Sequence, residues 1–324
     1  MVEMKGRRHI PPAGIRSRLM LELASELVGV REWPYKQVRM TLRDQGGAAG
    51  GPTLFASDSP DVIEEVANHD VQIALINPGV VLTLALRGTG PFKEPMPVRA
   101  ITVIGSYDQL LLAVSEKTGL TSRDDIREKR YPLRVSLRGQ RSHATHLVLN
   151  EVLAAAGFSF DDIRAWGGEV RYDGGTPAKN PDRTGAVERG EADAIFDEAV
   201  GGWTEEALGL GMRPLPIDGP VLDRLEGLGF RRGTMAKASY PSLASDHQTI
   251  DYSGFIVYTH ADVPDDTVSA VCAALEARKD RIPPDTGEGP LPLDVMCKDT
   301  PEGPLGIPLH PAAERFWREQ GYLS

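Results

Sequence analysis

Three residues able to bind an anion stand where a strand is predicted to lead into a helix. Arg141, Ser142 and His143 follow the strand-like segment 133–136 and precede a helix-forming run. The first N–H groups of a helix lack partners within it and carry the positive end of its dipole. Such a start suits an anion, and a guanidinium adds a two-pronged donor for a carboxylate. The residues alone are equally consistent with a second interpretation, in which Ser142 only caps the helix and Arg141 is a solvated charge.

Glycines next to an acidic residue follow two predicted strands. Gly46 and Gly47 come after one strand, and Asp173 and Gly174 end another. Strand ends border the ligand crevice in open α/β sheets, and glycine lets the backbone approach a ligand closely. Plain turns explain the same residues. Neither glycine pair fits a dinucleotide or P-loop motif, so no nucleotide site is indicated.

Further polar residues stand at strand ends or at the start of a helix. Asn77 follows a strand and is suited to donate to a carboxylate or hydroxyl, whereas Asp197 and Glu198 are suited to accept from a ligand ammonium. Arg16 and Ser17 open the first predicted helix and are placed to meet an anion. The alternative interpretation is that all five are turn, cap or surface residues.

The sequence predicts no catalytic residue, metal or cofactor. His143 and His146 have a spacing compatible with a metal, but no third ligand is apparent. A GxSxG elbow is absent. Cys272 lies in an apolar helical stretch and Cys297 in a Pro/Gly-rich segment, so neither has the surroundings of an activated thiolate.

Apolar segments of strand length alternate with helical segments, which is the pattern of an α/β protein. The predicted strands are 38–42, 72–76, 100–104, 110–114, 133–136, 169–173 and 192–196, and the clearest helices are about 15–28, 60–68 and 144–156. A unit of strand, Gly-Gly loop, helix and strand occurs once in each half of the chain. We therefore expect two similar α/β lobes, the alternative being two βαβ units in one sheet.

Composition excludes several classes of function. The chain has 324 residues, with 36 Lys and Arg against 46 Asp and Glu, a net charge of -10. No basic run alternates with aromatic residues, so nucleic acid is not an expected partner. The apolar runs are shorter than the roughly 20 residues that cross a bilayer. The first residues are charged and broken by prolines instead of forming a signal peptide, so we expect a cytoplasmic protein, or a periplasmic one if a leader was removed or the start is misassigned.

Several stretches resemble the TAXI branch of TRAP-transporter solute receptors, which have the type II periplasmic-binding-protein fold. They are 99–104, 110–114 and 121–126, 136–145 (SLRGQRSHAT), 151–157 (EVLAAAG), 187–194 (VERGEADA), 239–241 (SYP), 249–250 (TI) and 308–316 (PLHPAAERF). The likeness covers roughly residues 38–320. Two departures are the opening segment 9–17, which lacks the family's Gly-Gly-x-Tyr loop, and Ala312, where the family has glycine.

The resemblance implies two lobes with a ligand cleft between them. The implied lobes are residues 1–110 with 249–324, and 111–248. It also implies a solute-binding protein that captures a small organic anion, a carboxylate or an amino acid, with transporter membrane subunits as partners if the protein is exported. Two alternatives remain open: a cytoplasmic enzyme of the same fold acting on a carboxylate, such as a decarboxylase, and a cytoplasmic ligand sensor.

Overall fold

The computed structural model describes residues 18–24, 26–27, 37–43, 50–199, 201–284 and 289–324. The contacts divide the chain into two units, residues 1–36 and residues 37–324. In the first unit, residues 18–24 and 26–27 are helical, within the helix predicted for 15–28. Arg16, Ser17, Gly46 and Gly47, four of the predicted ligand contacts, lie outside the described residues.

The second unit contains two five-stranded sheets. In spatial order, the first sheet consists of β1 (Val38–Arg43), β2 (Gly50–Ala56), β3 (Ile73–Ile76), β12 (Phe255–His260) and β4 (Val98–Ile104). The second consists of β7 (Glu169–Asp173), β6 (Arg134–Arg138), β8 (Ala194–Glu198), β5 (Leu110–Ser115) and β9 (Met212–Pro214). A separate hairpin pairs β10 (Arg232–Met235) with β11 (His247–Ile250). The predicted α/β class with two sheets is confirmed.

The helices of this unit begin and end largely where capping residues and glycines predict. Ser159 Oγ accepts from the Asp162 N–H at 3.1 Å while the Asp162 carboxylate accepts from the Ser159 N–H at 2.8 Å, a reciprocal cap. Gly157, with φ +84°, follows the helix predicted for about 144–156. The helices are Asp61–Ala67, Val80–Arg87, Arg123–Glu128, Ala144–Ala155, Phe160–Ala165, Thr184–Glu188, Gly201–Gly209, Gly219–Leu228, Asp265–Arg278, Leu293–Met296 and Pro311–Glu319, with a short 3₁₀ turn at Glu116–Thr118. Among the described helices, none has the length and apolar character needed to cross a bilayer.

Each sheet contains one central strand that runs against its neighbours. In the first sheet β12 is antiparallel to both β3 and β4, and in the second β5 is antiparallel to both β8 and β9. The strands β6, β7 and β8 are parallel, as are β2 and β3. Their carboxyl ends therefore meet at one edge of each sheet, where open α/β sheets place ligands.

The chain passes between the sheets twice, after Ile104 and before Phe255. Hydrogen bonds hold the two crossing segments side by side. The Tyr252 N–H and the Ser253 hydroxyl donate to the Asp108 carbonyl at 2.9 and 3.0 Å, and the Asp108 N–H donates to Ser253 Oγ at 3.1 Å. The domain boundaries near residues 110 and 249 remain a prediction.

The predicted repeat of strand, Gly-Gly loop, helix and strand is wrong in its topology. Sequence analysis missed β2, because the Gly50-Gly51-Pro52 start of this strand is typical of a loop. As a result β1 is the antiparallel partner of β2, and the helix Asp61–Ala67 connects β2 with β3. The second unit has the predicted order of strand, loop, helix and strand from β7 to β8. The two units still differ, because β7 is parallel to its neighbour β6 whereas β1 is antiparallel to its neighbour β2.

One glycine at the carboxyl edge of the second sheet is required for close backbone approach. A Cβ on Gly139 would lie 2.5 Å from the Asp173 carbonyl oxygen, whereas a Cβ on Gly175 would have no neighbour within 4 Å. We expect Gly139→Ala to lower the free energy of unfolding by about 1–3 kcal/mol because main-chain atoms have to move. Gly175→Ala is the matched control and should change it by less than about 1 kcal/mol. Urea unfolding of both variants tests this, and equal stability would contradict the close approach.

Candidate functional site

Buried charged side chains gather at the carboxyl edge of the second sheet. Arg138 ends β6, and Asp197 and Glu198 end the parallel strand β8. Arg183 reaches the same place from the loop before the helix Thr184–Glu188. The side chains of Arg183 and Asp197 are completely buried, and those of Arg138 and Glu198 are 16% and 14% exposed. We call these four residues the charge cluster.

Asp197 is held between two guanidinium groups. Its Oδ2 accepts from Arg183 Nη1 at 2.6 Å and its Oδ1 from Arg138 Nη2 at 2.8 Å. Burial alone would raise the pKa of this carboxyl, but the two arginines outweigh it and lower the pKa to about 2. Asp197 is therefore ionised at neutral pH.

Arg183 has hydrogen-bond acceptors besides Asp197. Its Nε donates to Ser136 Oγ at 3.1 Å, and Nη1 also donates to the Gly175 carbonyl at 2.8 Å. A buried ion pair is tolerated only when such bonds compensate for the lost hydration. The arginine thereby joins β6, β8 and the loop after β7.

The pKa of Glu198 differs from that of Asp197. Glu198 contacts Arg138, which it shares with Asp197, whereas Asp197 also contacts Arg183. The Glu198 carboxylate accepts a hydrogen bond from Arg138 Nη2. Burial raises the pKa of Glu198 to about 7, against the opposing effect of Arg138 and with a further upward contribution from Asp197. Glu198 therefore titrates near neutral pH.

His143 connects the charge cluster to the start of the helix Ala144–Ala155. Burial, followed by the charge of Arg138, lowers the pKa of His143 to about 3, so its ring is neutral. Arg138 Nη1 lies 3.0 Å from Nε2, while the Thr145 N–H and Oγ1 lie 3.1 and 2.8 Å from Nδ1. Nδ1 accepts from the Thr145 N–H and so caps the helix, while the Nε2 side of the same ring faces Arg138.

The contact chain continues to the crossing segments. Thr145 Oγ1 is hydrogen-bonded to the Tyr252 hydroxyl, and Tyr252 lies in the second crossing. Burial raises the pKa of this phenol well above 10, so it remains protonated. The charge cluster is in this way joined to the segment between β11 and β12.

The start of the helix Ala144–Ala155 also contacts the first sheet. The Ala144 N–H donates to the main-chain carbonyl of Asp58, in the loop after β2, at 2.8 Å. The His146 N–H donates to the His143 carbonyl at 3.0 Å, and the Thr145 N–H faces the His143 ring. The first donors of this helix therefore face atoms of the chain, which differs from the free anion-binding terminus that the sequence suggested.

An open cavity with a volume of about 340 Å³ lies beside this helix start. One side is formed by residues 59–61 and Pro91, and the other by residues 141–143 and one face of the helix Ala144–Ala155, with His146, Leu147, Asn150 and Glu151. Arg141 is exposed and its guanidinium lies 4.2 Å from the centre of the Tyr172 ring. In the described part of the chain no carboxylate forms a salt bridge with Arg141.

The eight predicted site residues that the structure describes divide into three groups. Arg141, Ser142 and His143 line the cavity, and Asp197 and Glu198 belong to the charge cluster. The remaining residues are placed as follows: Asn77 Nδ2 donates to the Gly254 carbonyl at 3.3 Å, Asp173 lies 3.4 Å from Arg171 Nε, and Gly174 is exposed.

Sequence analysis missed Arg138, Arg183, Thr145 and Tyr252. Arg138 could have been found from the sequence, because it ends a predicted strand and the sequence already placed two carboxylates, Asp197 and Glu198, at the end of another strand. The other three gave no local signal.

The buried ion pair predicts a large cost for removing one partner. Arg183→Met leaves Asp197 with only one arginine, and we expect it to lower the free energy of unfolding by about 3–5 kcal/mol. The same substitution at Arg164, whose partner Asp161 is 92% exposed, should cost less than about 1 kcal/mol. Urea unfolding of the two variants makes the comparison. Similar losses of stability in the two variants would show that the buried ion pair contributes no more than the exposed one.

Glu198 predicts a pH dependence of stability. Because its pKa is raised from 4.5 to about 7 on folding, its contribution is complete below about 4.5 and is lost as the pH rises through about 7. Buried histidines act oppositely: the pKa of His143 is lowered from 6.5 to about 3, so its contribution is present above 6.5 and lost as the pH falls. The informative quantity is therefore the stability of the wild type minus that of Glu198→Gln.

We expect this difference to decrease between pH 5 and about 8 in urea unfolding. Glu94→Gln, at an exposed glutamate, is the control and should give a nearly constant difference. A constant difference for Glu198→Gln as well would refute the raised pKa.

Solved structures with some likeness to the chain include binding proteins. The alkanesulfonate-binding protein SsuA from Xanthomonas axonopodis pv. citri, bound to MOPS, is 15% identical with a TM-score of 0.30, covering 68% of this chain and 61% of that one. The Escherichia coli periplasmic aliphatic sulphonate binding protein SsuA is 12% identical with a TM-score of 0.30, covering 67% and 57%. XAC2383 from Xanthomonas citri, bound to chloride, is 12% identical with a TM-score of 0.40, covering 81% and 80%. At these scores the likenesses decide nothing about what this chain binds.

A family match is more extensive. Residues 56–321 match the model of the NMT1-like family, from the end of β2 to beyond the last helix. The matched segment includes the charge cluster, both crossing segments and the cavity. The TAXI subtype remains a prediction, and the chain belongs to the NMT1-like family.

Proposed function

We propose that this protein is a solute-binding protein that captures a small organic anion, a carboxylate or an amino acid, in the cavity beside the helix Ala144–Ala155. The observation that carries the proposal is the position of Arg141. This arginine lines a cavity with elements of both sheets on its sides and forms no salt bridge within the described chain. A ligand carboxylate would supply the missing partner.

The surroundings of Arg141 favour a carboxylate over a simple halide. The guanidinium is a planar fork that matches two carboxylate oxygens. Its stacking over Tyr172, at 4.2 Å, limits the orientations of the fork and so lowers the entropy lost when a ligand binds.

Two carboxylates on the same cavity favour an amino acid within this class. Asp61 and Glu151 both line it. Burial raises the pKa of Glu151, and a bound ammonium would offset that cost. An amino acid would thus place its carboxylate at Arg141 and its ammonium near Glu151 or Asp61.

The crossing segments suit a protein that closes on its ligand. Two side-by-side crossings permit hinge motion between two lobes, and the Ala144–Asp58 bond joins elements of the two sheets. Membrane subunits of a transporter are the expected partners if the protein is exported. Location remains a prediction, cytoplasmic from the first residues with the periplasm as the alternative, and fractionation of the native host decides it.

Thermal-shift screening with carboxylates and amino acids tests the binding class. A ligand at 100 times its Kd raises the free energy of unfolding by about 2.7 kcal/mol. For the best ligand, we expect Arg141→Ala to weaken binding about 10- to 150-fold in calorimetric titration, as for loss of a charged hydrogen bond. Arg164→Ala removes an exposed arginine outside the cavity and should bind normally. A best ligand that carries no carboxylate, or full affinity in Arg141→Ala, would overturn the proposal.

The hypothesis that the ligand is an amino acid is tested separately. Glu151→Gln should weaken binding of an amino acid while leaving binding of the matching carboxylate without the amino group nearly unchanged. Equal effects on both ligands in Glu151→Gln and also in Asp61→Asn would leave only the carboxylate class.

A further inference from the structure

Three potential metal ligands meet at the edge of the first sheet opposite the cavity. His69 lies in the turn between the helix Asp61–Ala67 and β3, His260 is the last residue of β12, and Asp262 follows two positions later. Because β12 is antiparallel to β3, with Thr259 opposite Ile73, the end of β12 meets the turn before β3. Residues 191 positions apart in sequence thereby become neighbours.

The three side chains direct ligand atoms at one another. Asp262 Oδ1 lies 3.7 Å from His69 Nδ1 and directly contacts His260 Nδ1. The imidazole rings are 4.1 Å apart between centroids. One ligand atom from each residue can be chosen so that all lie within 4.8 Å of one another.

We propose that His69, His260 and Asp262 form a binding site for a divalent transition-metal ion, with Zn²⁺ as the reference ion. Two imidazoles and a carboxylate are ligands that Zn²⁺ accepts at about 2.0–2.2 Å. Three protein ligands leave a fourth position for water or another small ligand. Hard oxygen-seeking ions such as Mg²⁺ fit this set poorly.

The contact between His260 and Asp262 supports a cation at this place. The carboxylate oxygen carries lone pairs, and so does Nδ1 when the ring is protonated on Nε2. The Asp262 N–H donates to this Nδ1 at 3.2 Å, and that hydrogen bond breaks when Nδ1 binds a metal ion. Two acceptors in contact repel unless a proton or a metal ion lies with them. The imidazole of His69 also lies near the same Asp262 oxygen. A proton shared by His260 and Asp262 would account for the contact between those two residues but not for the second imidazole.

The local backbone and exposure fit metal binding as well. His69 has φ +64°, a left-handed conformation that is uncommon for a residue with a side chain and concentrates at functional positions. Ligands of one tetrahedral Zn²⁺ ion lie about 3.4 Å apart, so His69 must move slightly towards Asp262, and the Asp262 oxygen must move away from the ring of His260. His69 and Asp262 can do so, since their side chains are 52% and 66% exposed, while buried His260 gives a fixed point.

Calorimetric titration of the full-length, tag-free protein with Zn²⁺ tests the site. We expect one Zn²⁺ per chain, a higher Tm with the ion, and binding weakened about tenfold or more in His69→Gln and in Asp262→Asn. Both substitutions are at exposed side chains, so folding is retained and checked by circular dichroism. The control is His146→Gln, which removes an imidazole near His143 and should leave Zn²⁺ affinity unchanged.

Several results would overturn the proposal. Absence of binding up to about 1 mM Zn²⁺, or unchanged affinity in both His69→Gln and Asp262→Asn, would leave a proton shared by Asp262 and His260 as the explanation. Loss of binding in His146→Gln alone would move the ion to the cavity. Equally tight Mg²⁺ binding would contradict imidazole ligation.

Discussion

The ion pair between Arg183 and Asp197 is the constraint on which the second sheet's functional edge depends. A carboxylate at the buried end of β8 is tolerable only with positive partners, and the chain supplies one from β6 and one from the loop after β7. Meeting this requirement fixes the loop's position against Ser136 and Gly175. It also fixes the end of β6, from which the segment carrying Arg141 begins. The cavity wall is therefore held by charges that do not line it.

Arg138 connects this constraint with the rest of the molecule. It contacts both carboxylates of the charge cluster and the ring of His143. Through Thr145 the contacts reach Tyr252, which lies in a crossing segment between the sheets. A solute held by Arg141 would bind three residues from Arg138 along the chain. The arrangement thus places the buried charges and the crossing in one continuous set of contacts, with the proposed binding residue three positions further along the chain.

The sequence predicted the local features of this structure better than its long-range ones. Hydrophobic periodicity located β4, β5 and the helix Ala144–Ala155, and strand-end reasoning located His143, Asp197 and Glu198. It missed Arg183, because an arginine in an Asn-Pro-Asp loop is normally solvated and its acceptor Ser136 is 47 residues away. It missed β2, because glycine and proline at the start of the strand indicate a loop. Partners for buried charges, unlike amphipathic faces, leave no periodic trace in the sequence.

The hydrogen bond from Ala144 to Asp58 has a consequence for observing the molecule in solution. Its donor belongs to a helix beside the second sheet and its acceptor to a loop of the first, so this bond cannot survive separation of the two. Exchange of the Ala144 amide proton with deuterated solvent would then follow the opening of the protein instead of fraying of the helix. The exchange rate of this one backbone amide would therefore report how often the two sheets separate, without any added label.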